Sequence, residues 1–299
     1  MKRPVFTGLC TALVTPFSGD GIDFSMLEQL IERQITAGTD AIVLAGTTGE
    51  SPTLTDSEKL EIFRIGVQTA AGRTKIIAGT GSNCTAKAVA LSAKAARLGV
   101  DGILAVTPYY NKSTQPGLLQ YYTAVAAASG LPVIAYNVPS RTGVDIRVDT
   151  CRKLAEIPGI AGIKEASGDI SKIGRILAAC GDALPVYSGN DDQTVPIMAL
   201  GGAGVISVAS NVVPGAMKEL TDACLAGEYP KAAAIQIKLS TLMDLMFCQV
   251  NPIPVKAAMA LVNFDCGPCR PPLDALPDGD MEKLRVCLDE LGISSYNIC

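Results

Sequence analysis

The sequence predicts an α/β chain that closes as a (β/α)8 barrel of the TIM type and carries a helical appendage at its C-terminal end. Three observations lead there. Before Pro214, eight short apolar runs alternate with helical patterns, and the runs show little polar alternation, as strands buried on both faces do. The first run is followed by Thr15-Pro16-Phe17-Ser18-Gly19, without the G-x-G-x-x-G that opens a doubly wound dinucleotide-binding sheet. After Pro214 the strand pattern stops.

The eight predicted strands are Gly8–Val14, Ala41–Ala45, Lys75–Ala78, Gly102–Val106, Pro132–Tyr136, Ile160–Lys164, Leu184–Ser188 and Gly204–Val208. Helices between them have readable ends. Ser25 with Glu28 and Thr55 with Glu58 fit capping boxes at the starts. Gly38, Gly72, Gly99, Gly130 and Gly181 each close a helical stretch. Gly79-Thr-Gly81 follows the third strand but lacks a third glycine for a nucleotide site, so these glycines are read as letting the chain turn out of the strand. Helical patterns at about 215–225, 230–248, 254–263 and 279–291 fill the remainder. The expected division is therefore 1–214 for the barrel with the active site and 215–299 for the helical region.

Composition narrows the chemistry. At ~150 residues per domain, 299 residues suggest two domains, but α/β barrels run well past 200 as one unit. With 48% apolar residues and a mean hydropathy of +0.31, the chain can bury a large core and is not low-complexity disorder. A net charge of −4 leaves no polybasic surface for nucleic acid or anionic lipid. There is no histidine, which excludes Ser-His-Asp and Cys-His catalysis and every imidazole base. Proton transfer falls to Tyr, Lys, Asp, Glu, Cys or a hydroxyl relay. The first residues lack a signal-peptide apolar stretch, and no run is long enough to span a membrane. The ten cysteines are scattered, so they read as reduced thiols of a cytosolic protein. Cys266 and Cys269 form a CxxC, but Arg270-Pro271-Pro272 follows where a redox motif needs a helix, and no second CxxC completes a zinc site. No metal is expected.

In such a barrel, strand C-terminal ends converge on the reactive mouth. Those ends carry Thr47-Thr48-Gly49-Glu50, Tyr109-Tyr110-Asn111, Tyr136-Asn137 with Arg141, Lys164-Glu165, Ser188-Gly189-Asn190-Asp191 and Ile206-Ser207. Lys164 ends an otherwise apolar strand. An ammonium there loses hydration, which disfavours its charged form, and a neutral amine attacks ketones. The bland reading pairs Lys164 with Glu165 or Glu50. Tyr136 ends the neighbouring strand and supplies a phenol for proton transfer, with Tyr110 and Thr48 able to extend the relay; each tyrosine is equally at home as an amphipathic core residue. Thr47, Thr48 and the N–H groups beside them form a cradle for a carboxylate. Arg141 offers a planar fork for a second carboxylate, or is a surface residue of a turn.

Taken together, Gly46-Thr-Thr-Gly-Glu-Ser51, Thr107-Pro-Tyr-Tyr-Asn111, Tyr136-Asn-Val-Pro-Ser-Arg-Thr-Gly143, Gly162-Ile-Lys-Glu-Ala-Ser167 and Asn251-Pro-Ile-Pro-Val-Lys256 resemble the dihydrodipicolinate synthase family. The motifs occur in order from Gly8 to about Leu261. The wider group of pyruvate-dependent class I aldolases, including N-acetylneuraminate lyase, shares the barrel, the lysine and the tyrosine; Arg141 within Ser-Arg-Thr-Gly resembles the synthases. The resemblance implies a cytoplasmic homotetramer of lysine and diaminopimelate biosynthesis that condenses pyruvate with L-aspartate 4-semialdehyde. It implies an imine on Lys164 with no other cofactor, and a relay of Tyr136, Thr48 and Tyr110, the last reaching into a neighbouring subunit. Thr47, Thr48 and the backbone around Gly189 and Ile206 would hold pyruvate, and Arg141 the semialdehyde carboxylate. Two alternatives stand beside it: a lyase releasing pyruvate from N-acetylneuraminate or a 2-keto-3-deoxy sugar acid, and a barrel that only binds a metabolite. Relatives inhibited by lysine hold it at an interface pocket, whose positions fall here on Ser51, Asn83, Lys87 and Tyr109, with the pocket's histidine position falling on Lys59. Lys87 stands where the effector's ammonium needs a glutamate, so insensitivity to L-lysine is expected.

Overall fold

Eight parallel strands form a closed barrel in the computed structural model, which describes residues 4–19 and 21–293. They are β1 (Gly8–Ala12), β2 (Ala41–Leu44), β3 (Lys75–Gly79), β4 (Gly102–Val106), β5 (Val133–Asn137), β6 (Ile160–Glu165), β7 (Val186–Ser188) and β8 (Gly204–Ser207). Closure comes from β1, which pairs with β8 from Gly8↔Gly204 to Thr11↔Ser207 and with β2 on its other side. Each predicted strand is present. Continuous apolar runs locate such strands well because a parallel sheet wrapped by helices leaves neither face to water.

The surrounding helices are α1 (Phe24–Thr36), α2 (Asp56–Ala70), α3 (Thr85–Arg97), α4 (Gln115–Ser129), α5 (Val148–Glu156), α6 (Ile170–Cys180), α7 (Thr194–Ala199) and α8 (Pro214–Leu225). Thr55 and Glu58 form the expected capping box on α2. The box expected at Ser25 and Glu28 does not form. Asp23 caps α1 instead, its carboxylate accepting from the Met26 N–H at 2.9 Å. Asp23 sits where the chain leaves a small antiparallel ribbon, Phe17–Ser18 with Gly21–Ile22, which the sequence did not announce. Gly79 and Gly81 serve close approach rather than turning: a Cβ on Gly79 would lie 2.4 Å from the Ala45 carbonyl oxygen, and one on Gly81 2.4 Å from the Val106 nitrogen.

The division expected at 214/215 falls in the first turn of α8. That helix packs on β1 and beside α7, as an outer barrel helix does, so the added layer begins one helix later. It comprises α9 (Tyr229–Leu245), α10 (Ile253–Leu261) and α11 (Asp278–Glu290). Among the described residues no helix is long and apolar enough to cross a membrane.

Two apolar clusters share the core. The larger fills the space between strands and helices. The smaller lies inside the barrel and includes Cys10, Ala41, Ile77, Ile134, Tyr187 and Ile206. At the N-terminal end of the strands, Phe6 stacks on Tyr187 with ring centroids 4.3 Å apart, and the Tyr187 hydroxyl donates to the Phe6 carbonyl at 2.9 Å. That end is plugged; the other end is open.

Candidate active site

The open end holds a cavity of about 620 Å³. Register explains who meets there. Strands β5 and β6 pair so that Tyr136 stands opposite Lys164, each the last residue but one of its strand. The Lys164 Nζ lies 4.4 Å from the centroid of the Tyr136 ring, within reach of a cation–π contact. Both are buried, Lys164 at 5% exposure. Thr47 and Thr48 from the loop after β2, Arg141 from the one-turn helix Pro139–Thr142, and Gly189 after β7 line the same cavity. Gly189 is a steric requirement: a Cβ there would come within 3.1 Å of the Lys164 Cε and 2.6 Å of the Ala166 Cβ.

The carboxylates that might have neutralised Lys164 are engaged elsewhere. Glu165 takes the Lys172 ammonium at 3.1 Å, the Asn137 amide at 3.0 Å and the Ser167 N–H at 2.8 Å. Glu50 takes the Lys256 ammonium at 2.9 Å and the Arg270 N–H at 2.8 Å. No ion pair among the described residues includes Lys164, so the bland salt-bridge reading fails. Asp191, fully buried behind the mouth, accepts from the Val208 and Ala209 N–H groups at 3.0 and 2.9 Å. Burial pushes its carboxyl above the usual carboxylate range, against the pull of its hydrogen-bond donors and of the Lys164 charge. A buried lysine facing a phenol, with no carboxylate in contact among the described residues, is placed for nucleophilic use of its amine.

Other expected residues fall differently. Ile206 lies within the barrel core, while Val208 reaches the cavity wall. Tyr110 does not enter the cavity of its own chain; it is 91% exposed, on backbone held at φ +69°. Ser51 and Tyr109 line a smaller adjoining cavity of about 230 Å³. Asn83 and Lys87 do not: the Asn83 carbonyl accepts from the Asn111 amide, and Lys87 is exposed on α3. Lys59 is half-buried on α2, and that burial lowers its ammonium below its ordinary value. Cys266 and Cys269 are free thiols, burial pushing them up to about 12 and about 11, which leaves them unreactive at neutral pH.

The sequence reading missed one wall. Phe247, Cys248, Gln249, Val250 and Asn251, on the connection between α9 and α10, close one side of the cavity. Asn251 donates from Nδ2 to the Thr48 hydroxyl at 3.0 Å, and its carbonyl accepts from Arg141 Nη2 at 3.3 Å. The only hint was its position opening the Asn251-Pro-Ile-Pro motif; nothing in the sequence says which strand end it meets.

Comparison with known proteins gives a consistent result. Residues 5–291 match the Dihydrodipicolinate synthetase family. A 4-hydroxy-tetrahydrodipicolinate synthase of Thermoanaerobacter sp. (strain X514) is 46% identical over 291 residues, covering 97% of this chain and 98% of its own. The crystal structure of dihydrodipicolinate synthase from Aquifex aeolicus superposes with a TM-score of 0.95 at 44% identity, covering 98% of this chain and 100% of that one. The enzyme from Acinetobacter baumannii, solved in complex with pyruvate, superposes with a TM-score of 0.94 at 43% identity, covering 96% and 99%.

Proposed function

The chain belongs to the dihydrodipicolinate synthetase family, and on that premise we propose that it condenses pyruvate with L-aspartate 4-semialdehyde through an imine on Lys164. It is an enzyme, a lyase of the 4-hydroxy-tetrahydrodipicolinate synthase kind, serving lysine and diaminopimelate biosynthesis. One observation carries the residue assignment: Lys164 is a buried lysine at the mouth with no carboxylate partner and a phenol against it.

The neutral Lys164 amine attacks C2 of pyruvate, the carbinolamine loses water, and the resulting iminium gives up a C3 proton to become an enamine. C3 then bonds to the aldehyde carbon of the semialdehyde. Attack of that substrate's amine on C2 displaces the lysine nitrogen and closes the ring. Tyr136 and Thr48 move the protons, standing in for the absent histidine. Thr47, Thr48 and the main chain near Gly189 hold the pyruvate carboxylate. Arg141 on the rim holds the semialdehyde carboxylate. The lysine is itself the electron sink, so the proposed chemistry calls for no metal or organic cofactor.

Tyr110, turned away from its own cavity, serves a neighbouring copy in a homotetramer. Mixing inactive Tyr110→Phe and Lys164→Arg chains into hybrid oligomers should restore part of the activity; verified hybrids without recovery would show each site to be built from one chain. The nine described cysteines are free thiols, the state kept by the cytoplasm where we place the enzyme. The central test is borohydride reduction with pyruvate followed by peptide mass mapping. Irreversible mass on the Lys164 peptide is expected, and labelling elsewhere or nowhere overturns the assignment.

A further inference from the structure

We propose that Asn251 is a positioning residue that sets which way the Thr48 hydroxyl points its proton; this rests on the reading of Thr48 as a relay member given above. A hydroxyl has one proton and two acceptor lone pairs. The Asn251 Nδ2–H occupies an acceptor position on Thr48 Oγ1 at 3.0 Å. A hydroxyl that accepts from one neighbour turns its own proton elsewhere, and Thr48 lines the cavity shared with Tyr136 and Lys164. The contact therefore keeps the Thr48 proton off Asn251 and free to be donated toward the reacting atoms, with one lone pair still open to accept.

The surroundings explain why this amide is held in place. Asn251 is 5% exposed, and its buried Oδ1 has no hydrogen-bond partner among the described residues, so the orientation of the side chain rests on the Nδ2 donation. Its main-chain carbonyl takes Arg141 Nη2 at 3.3 Å. Five residues on, Lys256 anchors the same segment to Glu50, two residues beyond Thr48, in a buried ion pair of 2.9 Å. The segment from the added helical layer thus grips the Thr48 loop twice and the Arg141 side chain once. Residue 251 joins the relay to the carboxylate clamp across 203 positions of sequence.

Substitution by aspartate separates polarity from shape. Asn251→Asp is nearly isosteric, but an ionised carboxylate only accepts, so Thr48 must donate to it and turn its proton away from the cavity. We expect kcat to fall on the order of 10²-fold near neutral pH, the scale of a positioned proton-transfer group. KM for pyruvate should rise, because Thr48 also holds its carboxylate, while borohydride trapping at Lys164 should persist at saturating pyruvate. As pH falls and the introduced carboxyl protonates, a donor returns, so kcat relative to the parent should rise. Asn251→Ala removes the amide without imposing the wrong polarity and should be the more active of the two at neutral pH. A purely structural role predicts the opposite order, because alanine leaves the larger gap. Parental kcat in Asn251→Asp, a flat pH ratio, or alanine as the worse variant each overturns the proposal. If Asn251→Asp does not fold, the comparison moves to Thr48→Val. Asn251→Ala should then cost little further in a Thr48→Val background, and full additivity overturns the proposal. Absence of trapping at Lys164 in the parent would instead remove the proposed function itself.

Discussion

Lys164 and the pair Lys172 and Lys256 are all buried lysines set around one barrel mouth, yet only the latter two have carboxylates. Lys256 meets Glu50, with 4% and 0% of their side chains exposed. Lys172 meets Glu165 and Asp145. Burial works against the Lys172 ammonium, but the charges of Glu165 and Asp145 outweigh it and hold the group above its ordinary value. Lys164 faces a tyrosine ring instead. The two paired lysines absorb Glu50, Glu165 and Asp145, which leaves Lys164 without a carboxylate in contact. A residue's chemistry here is decided as much by what its neighbours already hold as by its own place in the barrel.

The sharpest way to break this contrast is substitution at each lysine. Lys164→Arg should abolish borohydride trapping and cut turnover by at least about 10³-fold, because guanidinium stays protonated and is no nucleophile. Lys256→Met should keep trapping at Lys164 yet lose stability, since Glu50 would remain buried without its cation. The cost of breaking such a pair is about 3–5 kcal/mol, or roughly 10 °C in Tm. If Lys256→Met instead lost trapping at Lys164 while its melting temperature held, the division of labour would be wrong.

Arg141→Ala refines the picture at the rim. It should weaken aspartate semialdehyde on the order of 10²-fold, the scale of a lost charge-assisted contact, and leave pyruvate largely unaffected. Equal loss for both substrates would mean general damage to the mouth. The smallest effect concerns alkaline stability. The Lys172 ammonium is held above its ordinary value near 10.5, so its contribution is full below that pH and is lost as pH rises through the higher folded value. Denaturant midpoints measured from pH 8 upward should therefore decline more for the parent than for Lys172→Gln. Parallel curves would refute the assignment.

Much of this was legible in the sequence, for physical reasons that also mark where it stopped. Strands β1 to β8 announce themselves because burial on both faces leaves a continuous apolar run. Lys164, Tyr136 and Thr48 could be found because a closed barrel directs strand ends to one mouth. The pairing of Lys164 was not legible: Glu165 and Glu50 were both within sequence reach, and only the fold gives them to Lys172 and Lys256. The wall from Phe247 to Asn251 escaped for the same reason, since it arrives from a helical layer with no strand to index it. At α1 a good local signal at Ser25 lost to Asp23, placed better by an unannounced ribbon.

The plug of Phe6 on Tyr187 has a consequence for traffic. A barrel stoppered at one end is a blind well, with the interior below Lys164 packed solid by Cys10, Ile134, Tyr187 and Ile206. Anything that reaches Lys164 enters and leaves by the same mouth, and Lys164, buried, lies deeper than the exposed Arg141. Whatever bonds to Lys164 must therefore descend before the longer second molecule settles above it, and that lower tenant cannot depart until the upper one has reacted or withdrawn. On the proposed roles of Lys164 and Arg141, the floor of the well imposes an order of arrival on the two substrates without any moving part.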